Sequence, residues 1–139
     1  MSSGADIEDA GPPDLASYAN KVFEEALAGP RDRLGERLFR MSLTAWENPE
    51  LRPRLLGKIR AATTSEEGAA LLRDHFSALL VDRLGAVVDV PRLDLNAVVT
   101  QVVGVIMLRY VMRMEPMASA SPDELVATFA PTIQRYLDA

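Results

Sequence analysis

No cysteine occurs in the 139 residues. Disulfides, thiolate catalysis and cysteine-held zinc or iron–sulfur centres are therefore excluded, which is compatible with a cytoplasmic setting. Histidine is almost as scarce: His75 is the single imidazole. Positive charge is not in excess either, since 15 Lys and Arg face 20 Asp and Glu for a net charge of −5, with the two signs interspersed. Phosphate neutralisation supplies most nucleic-acid affinity, so a chain without a basic stripe is not expected to grip DNA by itself. The start, Met1-Ser-Ser-Gly-Ala-Asp, has no basic segment and no apolar stretch of the secretory kind. The longest apolar run, Val102 to Leu108, is bracketed by Gln101 and Arg109 and falls short of the ~20 residues a membrane span needs. A soluble protein with no membrane contact is expected.

What is present is helical rhythm. Residues 1–13 are small, acidic and Gly/Pro-containing, and read as a disordered lead-in to one helical domain over 14–139. Leu15, Tyr18, Ala19, Val22, Phe23, Ala26 and Leu27 recur at the spacing of an amphipathic helix that Gly29-Pro30 ends. A second helix runs from about Arg31 to Glu47, and a third follows from Pro53 to about Thr63. Thr64-Ser-Glu-Glu reads as a capping box with Thr64 as the cap, and Gly85 as a left-handed stop to the helix it opens. The segment up to Pro116 is rich in Val and Ile, yet its length decides for helix over strand. Ser121-Pro-Asp-Glu is a second capping box, with proline at the first helical position of the last helix. The reading is all-α, with six helices.

Catalytic motifs are missing. There is no G-x-S-x-G, no phosphate-cradling glycine loop, no H-E-x-x-H and no calcium loop. His75 alone lacks an orienting partner and a nucleophile, so a helix-face or pocket-lining role outweighs general-base work. Glu66 and Glu67 are explained by the helix N-terminus they occupy. No catalytic residue, metal ligand or cofactor is expected, and the chain does not read as an enzyme.

Three features outlast that filter. The penultimate helix is apolar nearly all round: Val99, Val103, Ile106, Met107, Tyr110 and Met114 share one side, while Ala97, Gly104, Leu108 and Val111 lie on another. One small domain covers one side and part of a second, so a second subunit is expected on the remainder; a central helix buried wholly within one chain is the competing account. Pro131 stands some ten residues into the last helix, where it removes an amide and is expected to kink the helix rather than break it. Soft and aromatic residues, Met41, Trp46, Phe76, Met107 and Tyr110, are numerous enough to line an apolar cavity. Periodicity alone favours ordinary core packing for them.

The stretches "TAWENPELRPRLLGKIRAATTSEEGAALLRDHF" and "RYVMRMEPMASASPDELVATFAP" resemble the C-terminal regulatory domain of bacterial TetR-family transcriptional repressors, over about Leu15 to Leu137. The resemblance implies a six-helix orthogonal and antiparallel bundle that binds a small effector. It also implies a homodimer in which the last two helices form a four-helix bundle with the partner's pair. The family's N-terminal helix-turn-helix domain has no counterpart here, so DNA would be reached only through that absent part, and the first helix corresponds to the connecting helix. On this reading Met41, Trp46, Ile59, His75, Phe76, Met107 and Tyr110 are candidate ligand contacts for an apolar or aromatic effector. Ala97, Gly104, Leu108, Val111, Leu125, Phe129 and Ile133 are the candidate dimer face. A ligand-free helical module for protein–protein interaction is the alternative.

Overall fold

A computed structural model describes residues 15–139, which form helices throughout and no strand. The expected lead-in, residues 1–13, lies outside the described residues. The elements in order are α1 (Leu15–Leu27), a 3-10 turn (Arg31–Arg33), α2 (Leu34–Glu47), α3 (Arg52–Thr64) and α4 (Glu66–Phe76). α4 runs on as a π-helical segment (Ser77–Leu84). α5 (Arg92–Ile106) likewise ends in a π-helical turn (Met107–Val111), and α6 (Pro122–Leu137) closes the chain. Six α-helices among the described residues match the sequence reading.

Helix ends follow their local chemistry, with two corrections. At α6 the capping box is complete: Ser121 Oγ accepts from the Glu124 amide at 3.1 Å, and the Glu124 carboxylate accepts from the Ser121 amide at 2.8 Å. At α4 the cap is Ser65, not Thr64. α3 extends through Thr64, whose hydroxyl donates back to Arg60 O, so the first extended residue is Ser65, and its Oγ accepts from the Gly68 amide. Gly68 is there for contact: a Cβ would lie 2.2 Å from Ala61 O, so α3 and α4 meet backbone to backbone. Gly85 is not a left-handed stop; its φ of −62° continues the right-handed π segment into a turn. α6 passes Pro131 as one helix, and Pro131 sits on the exposed face, where water can serve the carbonyl that loses its amide partner.

The core lies where α6 crosses α2 and α5. Leu125, Val126, Ala130, Ile133 and Leu137 of α6 join Leu34, Leu38, Phe39 and Leu43 of α2 in one cluster, with Val98, Val105 and Ile106 from α5. Phe39 and Phe129 pack as a tilted aromatic pair, centroids 5.9 Å apart. α2 and α6 come close because residue 35 is glycine: a Cβ would stand 2.8 Å from Gln134 N. Gln134 locks that crossing, accepting from the Gly35 amide at 2.8 Å and donating to Arg31 O at 3.0 Å.

This packing corrects part of the expected dimer face. Leu125 (3 % exposed) and Ile133 (0 %) are inside the subunit, because α6 has one strong apolar stripe and α2 takes it. Phe129 is half-buried against the same cluster. Ala97 and Leu108 are half-covered, whereas Gly104 and Val111 are exposed. Adding a Cβ at Gly104 meets nothing within 4 Å.

Taken whole, the segment Arg92–Val111 is 20 residues long with a mean hydropathy of 1.3 in its most apolar window, long and apolar enough by those measures to cross a membrane. The uninterrupted apolar run in the sequence understated this, because the helix extends beyond it at both ends. Core helices of bundles meet the same measures, and Arg109 of this one turns inward onto Glu47.

Candidate functional site: an apolar cavity among five helices

Five helices converge on a cavity of about 180 Å³. α1 contributes Tyr18, Ala19, Val22 and Phe23; α2 contributes Leu38, Met41, Ser42, Ala45 and Trp46. From α3 and its cap come Leu51, Leu55, Lys58 and Ile59, and from α4 with its π extension Leu72, His75, Phe76, Leu79 and Leu80. The floor is α5, through Val98, Val99, Val102, Val103 and Ile106. Each set follows a helical stripe, so five amphipathic faces point to one space. A hollow persists there because α3 has no fully buried residue and α4 has only Gly68, so these two helices arch over the others without filling the gap.

Little of the lining is polar. Ser42 spends its hydroxyl on Leu38 O at 3.2 Å. Lys58 and His75 both line the space and are both exposed as residues, which places them at its rim. Burial of the His75 ring pushes its pKa below the ordinary imidazole value, and the Lys58 ammonium pushes in the same direction. Among the described residues no carboxylate occurs on the lining.

Met41, Trp46, Ile59, His75 and Phe76 of the expected contacts therefore stand on the cavity. Met107 and Tyr110 do not. The π-helical turn swings Tyr110 behind Trp46, where the rings stack at 5.3 Å and 24°, and its hydroxyl donates to Glu47 Oε2 at 2.7 Å. Arg109 completes the cluster, donating to Glu47 Oε2 at 3.2 Å and to the carbonyls of Met117 (2.6 Å) and Ala120 (2.7 Å). Burial, then the Glu47 hydrogen bond, pushes the Tyr110 phenol up to about 12, while that same bond holds the Glu47 carboxyl below its usual range. This cluster backs the wall that Trp46 presents and pins the segment between α5 and α6.

Among the lining residues that sequence reasoning missed is the charged one, Lys58. The signal was there: Leu55, Lys58, Ile59 and Ala62 share a face at i, i+3, i+4, i+7, so a lysine interrupts an apolar stripe. The valines of α5 were placed on a covered side, but nothing in their spacing distinguished a cavity from close packing.

An all-α bundle with an apolar internal cavity walled partly by its first helix offers a space of the kind that small molecules occupy. The family description "Tetracyclin repressor-like, C-terminal domain" matches residues 32–137, and the chain belongs to that family of TetR C-terminal domains. Among solved structures it is similar to a TetR-family regulator from Streptomyces coelicolor, with 28 % identity and a TM-score of 0.64 over 86 % of this chain and 80 % of that one. No curated protein matches the sequence. The chain is thus a regulatory ligand-binding and dimerisation type of domain from a transcriptional regulator.

Proposed function

We propose that this domain serves a TetR-like repressor as its effector sensor and dimerisation unit, with a small apolar or aromatic ligand occupying the cavity. The observation that carries the reading is the position of α1. The helix that corresponds to the family's connecting helix supplies Tyr18, Ala19, Val22 and Phe23 to the cavity wall, so an occupant touches the signal-carrying element directly. A ligand that fits one placement of α1 better than another shifts the population toward it, and DNA binding by the reader domain would follow. Trp46 is the single tryptophan and lines the cavity, so its fluorescence reports occupancy. Naphthol is expected to quench Trp46 saturably, and Val102→Phe, which fills the space, to abolish the quench. Undiminished quenching in the filled variant would show that the cavity is not the site.

The dimer half of the proposal rests on α5. Leu93, Ala97, Thr100, Gly104, Leu108 and Val111 form one outward stripe, and only 28 % of the helix's most apolar window is covered by its own subunit. Leu93 is 77 % exposed, Val111 40 %, Met112 60 % and Met114 47 %, a patch that a symmetry-related copy would cover in an isologous contact. α6 joins with Phe129 and its small outer residues Ala127 and Pro131 rather than with Leu125 and Ile133, which the subunit uses itself. The 15.2 kDa chain is expected to sediment at twice that mass at micromolar concentration. Gly104→Arg has room within the subunit, so it is expected to yield a folded monomer with unchanged helix content. A monomeric parent chain, or a dimer indifferent to Gly104→Arg, would end this half of the proposal.

A further inference from the structure

Resting on the cavity being the effector site, we infer that its ligand is an anionic amphiphile, a monocarboxylate with a slim apolar tail, held with its head at the rim between α3 and α4. Charge selects the head. In a chain with five more acidic than basic side chains, the lining carries no carboxylate among the described residues, and Lys58 is its cation, with the His75 imidazole as a second donor. Both stand at the rim, from neighbouring helices. Among the described residues Lys58 makes no salt bridge and His75 no hydrogen bond, and His75 meets the edge of the Phe76 ring. Burial first, and then the Lys58 ammonium, lowers the affinity of the His75 ring for its proton, because protonation would place a second positive charge there. A bound carboxylate offsets that cost. Each oxygen can accept from one of the two donors, a charge-assisted arrangement stronger than a neutral hydrogen bond.

Shape selects the tail. The cavity's about 180 Å³ lies below the roughly 300–1,000 Å³ of drug-sized pockets, which favours a narrow occupant over a bulky polycyclic one. Its depth is lined by branched aliphatic side chains, Val99, Val102 and Val103 from α5 and Leu79 and Leu80 from α4, with no cation among the described residues there to pair a second charged head. A cationic head at the rim would face Lys58, and a dicarboxylate would bury an unpaired charge. Both are selected against.

The test compares decanoate, decanol and decyltrimethylammonium, each below its micellar concentration, by Trp46 quenching and calorimetry on the full chain. Decanoate is expected to bind roughly tenfold tighter than decanol, the scale of one charge-assisted hydrogen bond near a solvent boundary, and the ammonium not to bind. Lys58→Met is expected to erase the preference for decanoate while leaving decanol affinity unchanged, and His75→Gln to halve it or more. Lys58 is exposed and outside the core cluster, so Lys58→Met is compatible with folding, and thermal melts of the variant check that directly. Equal binding of acid and alcohol, or a preference that survives Lys58→Met, would overturn the anionic head and leave the effector site standing. If neither compound reaches the cavity, with Val102→Phe indistinguishable from the parent chain, this inference falls together with the effector reading.

Discussion

α2 and α6 are held differently from α3 and α4. Of the 14 residues of α2, six are buried, and α6 has five; α3 has none and α4 one, the glycine at its contact with α3. Side-chain to backbone bonds knit the first pair together. Gln134 bridges α6 to α2 and the 3-10 turn before it, and Arg37 of α2 donates to Ala26 O at the end of α1. The other pair is joined at its start, where Arg52 of α3 donates to Trp46 O at 2.7 Å. One half of the subunit is a frame, and the other is a cover resting on it. Ligand-responsive elements come from the weakly held part of a fold, because an equilibrium between two placements needs a small free-energy gap.

The sharpest way to break that comparison is to cut one large side chain from each half. Phe39→Ala removes a ring that is buried and paired with Phe129, and about 3–5 kcal/mol of stability should go with it. Leu72→Ala removes a half-buried side chain that already faces a hollow, and about 1 kcal/mol is expected. Urea titrations at one fixed protein concentration give both values. Native-state hydrogen exchange should show α3 and α4 amides opening at a lower free energy than those of α2 and α6. Equal losses, or uniform protection, would mean that frame and cover are one cooperative unit.

An intermediate effect is expected at the seam between the halves. Tyr110→Phe keeps the stack on Trp46 and deletes only the hydroxyl that donates to Glu47. Glu47 retains Arg109 at 3.2 Å and is part-exposed, so the loss should be about 1 kcal/mol. Because Trp46 is the wall this cluster supports, its emission should change even where the melting temperature barely moves. An unaltered spectrum would show that Trp46 is positioned without Tyr110.

The frame was far more legible in the sequence than the cover. α6 announced itself through Ser121, Pro122 and Glu124, and its apolar stripe was correctly spaced; what the spacing could not say was which neighbour would claim it. Leu125 and Ile133 were expected to face a second subunit, and α2 takes them instead because Gly35 lets the two backbones approach. At the end of α5, the π-helical turn changed the phase of the last residues, which carried Tyr110 from the expected cavity to Glu47. A phase shift of that kind has no signature in a hydrophobic pattern. Lys58 did have one, a charge inside an apolar stripe, whereas the hollow itself depends on how far α3 and α4 stand off α5, which no local rule sets.

The smallest expected effect concerns pH and the rim of the cover. His75 binds its proton less tightly in the folded chain than the ordinary value of about 6.5. Between that ordinary value and the lower folded one, the unfolded chain holds more protons, so stability is full above about 6.5 and is lost as pH falls through the folded value. The facing groups among the described residues are Lys58 from α3, which adds to the effect, and Tyr18 from α1, and no acid on the described lining opposes it. His75→Gln should flatten this part of the stability profile, by a small amount because the residue is part-exposed at the rim. With decanoate bound, the sign at the ring reverses: a carboxylate beside His75 raises its proton affinity, so binding takes up a proton and tightens as pH falls toward 6. The single histidine gives one set of imidazole proton resonances, and following them through pH with and without decanoate measures both shifts. A His75 that titrates at its ordinary value in the free chain would remove the rim repulsion, and one that decanoate leaves unmoved would place the carboxylate elsewhere.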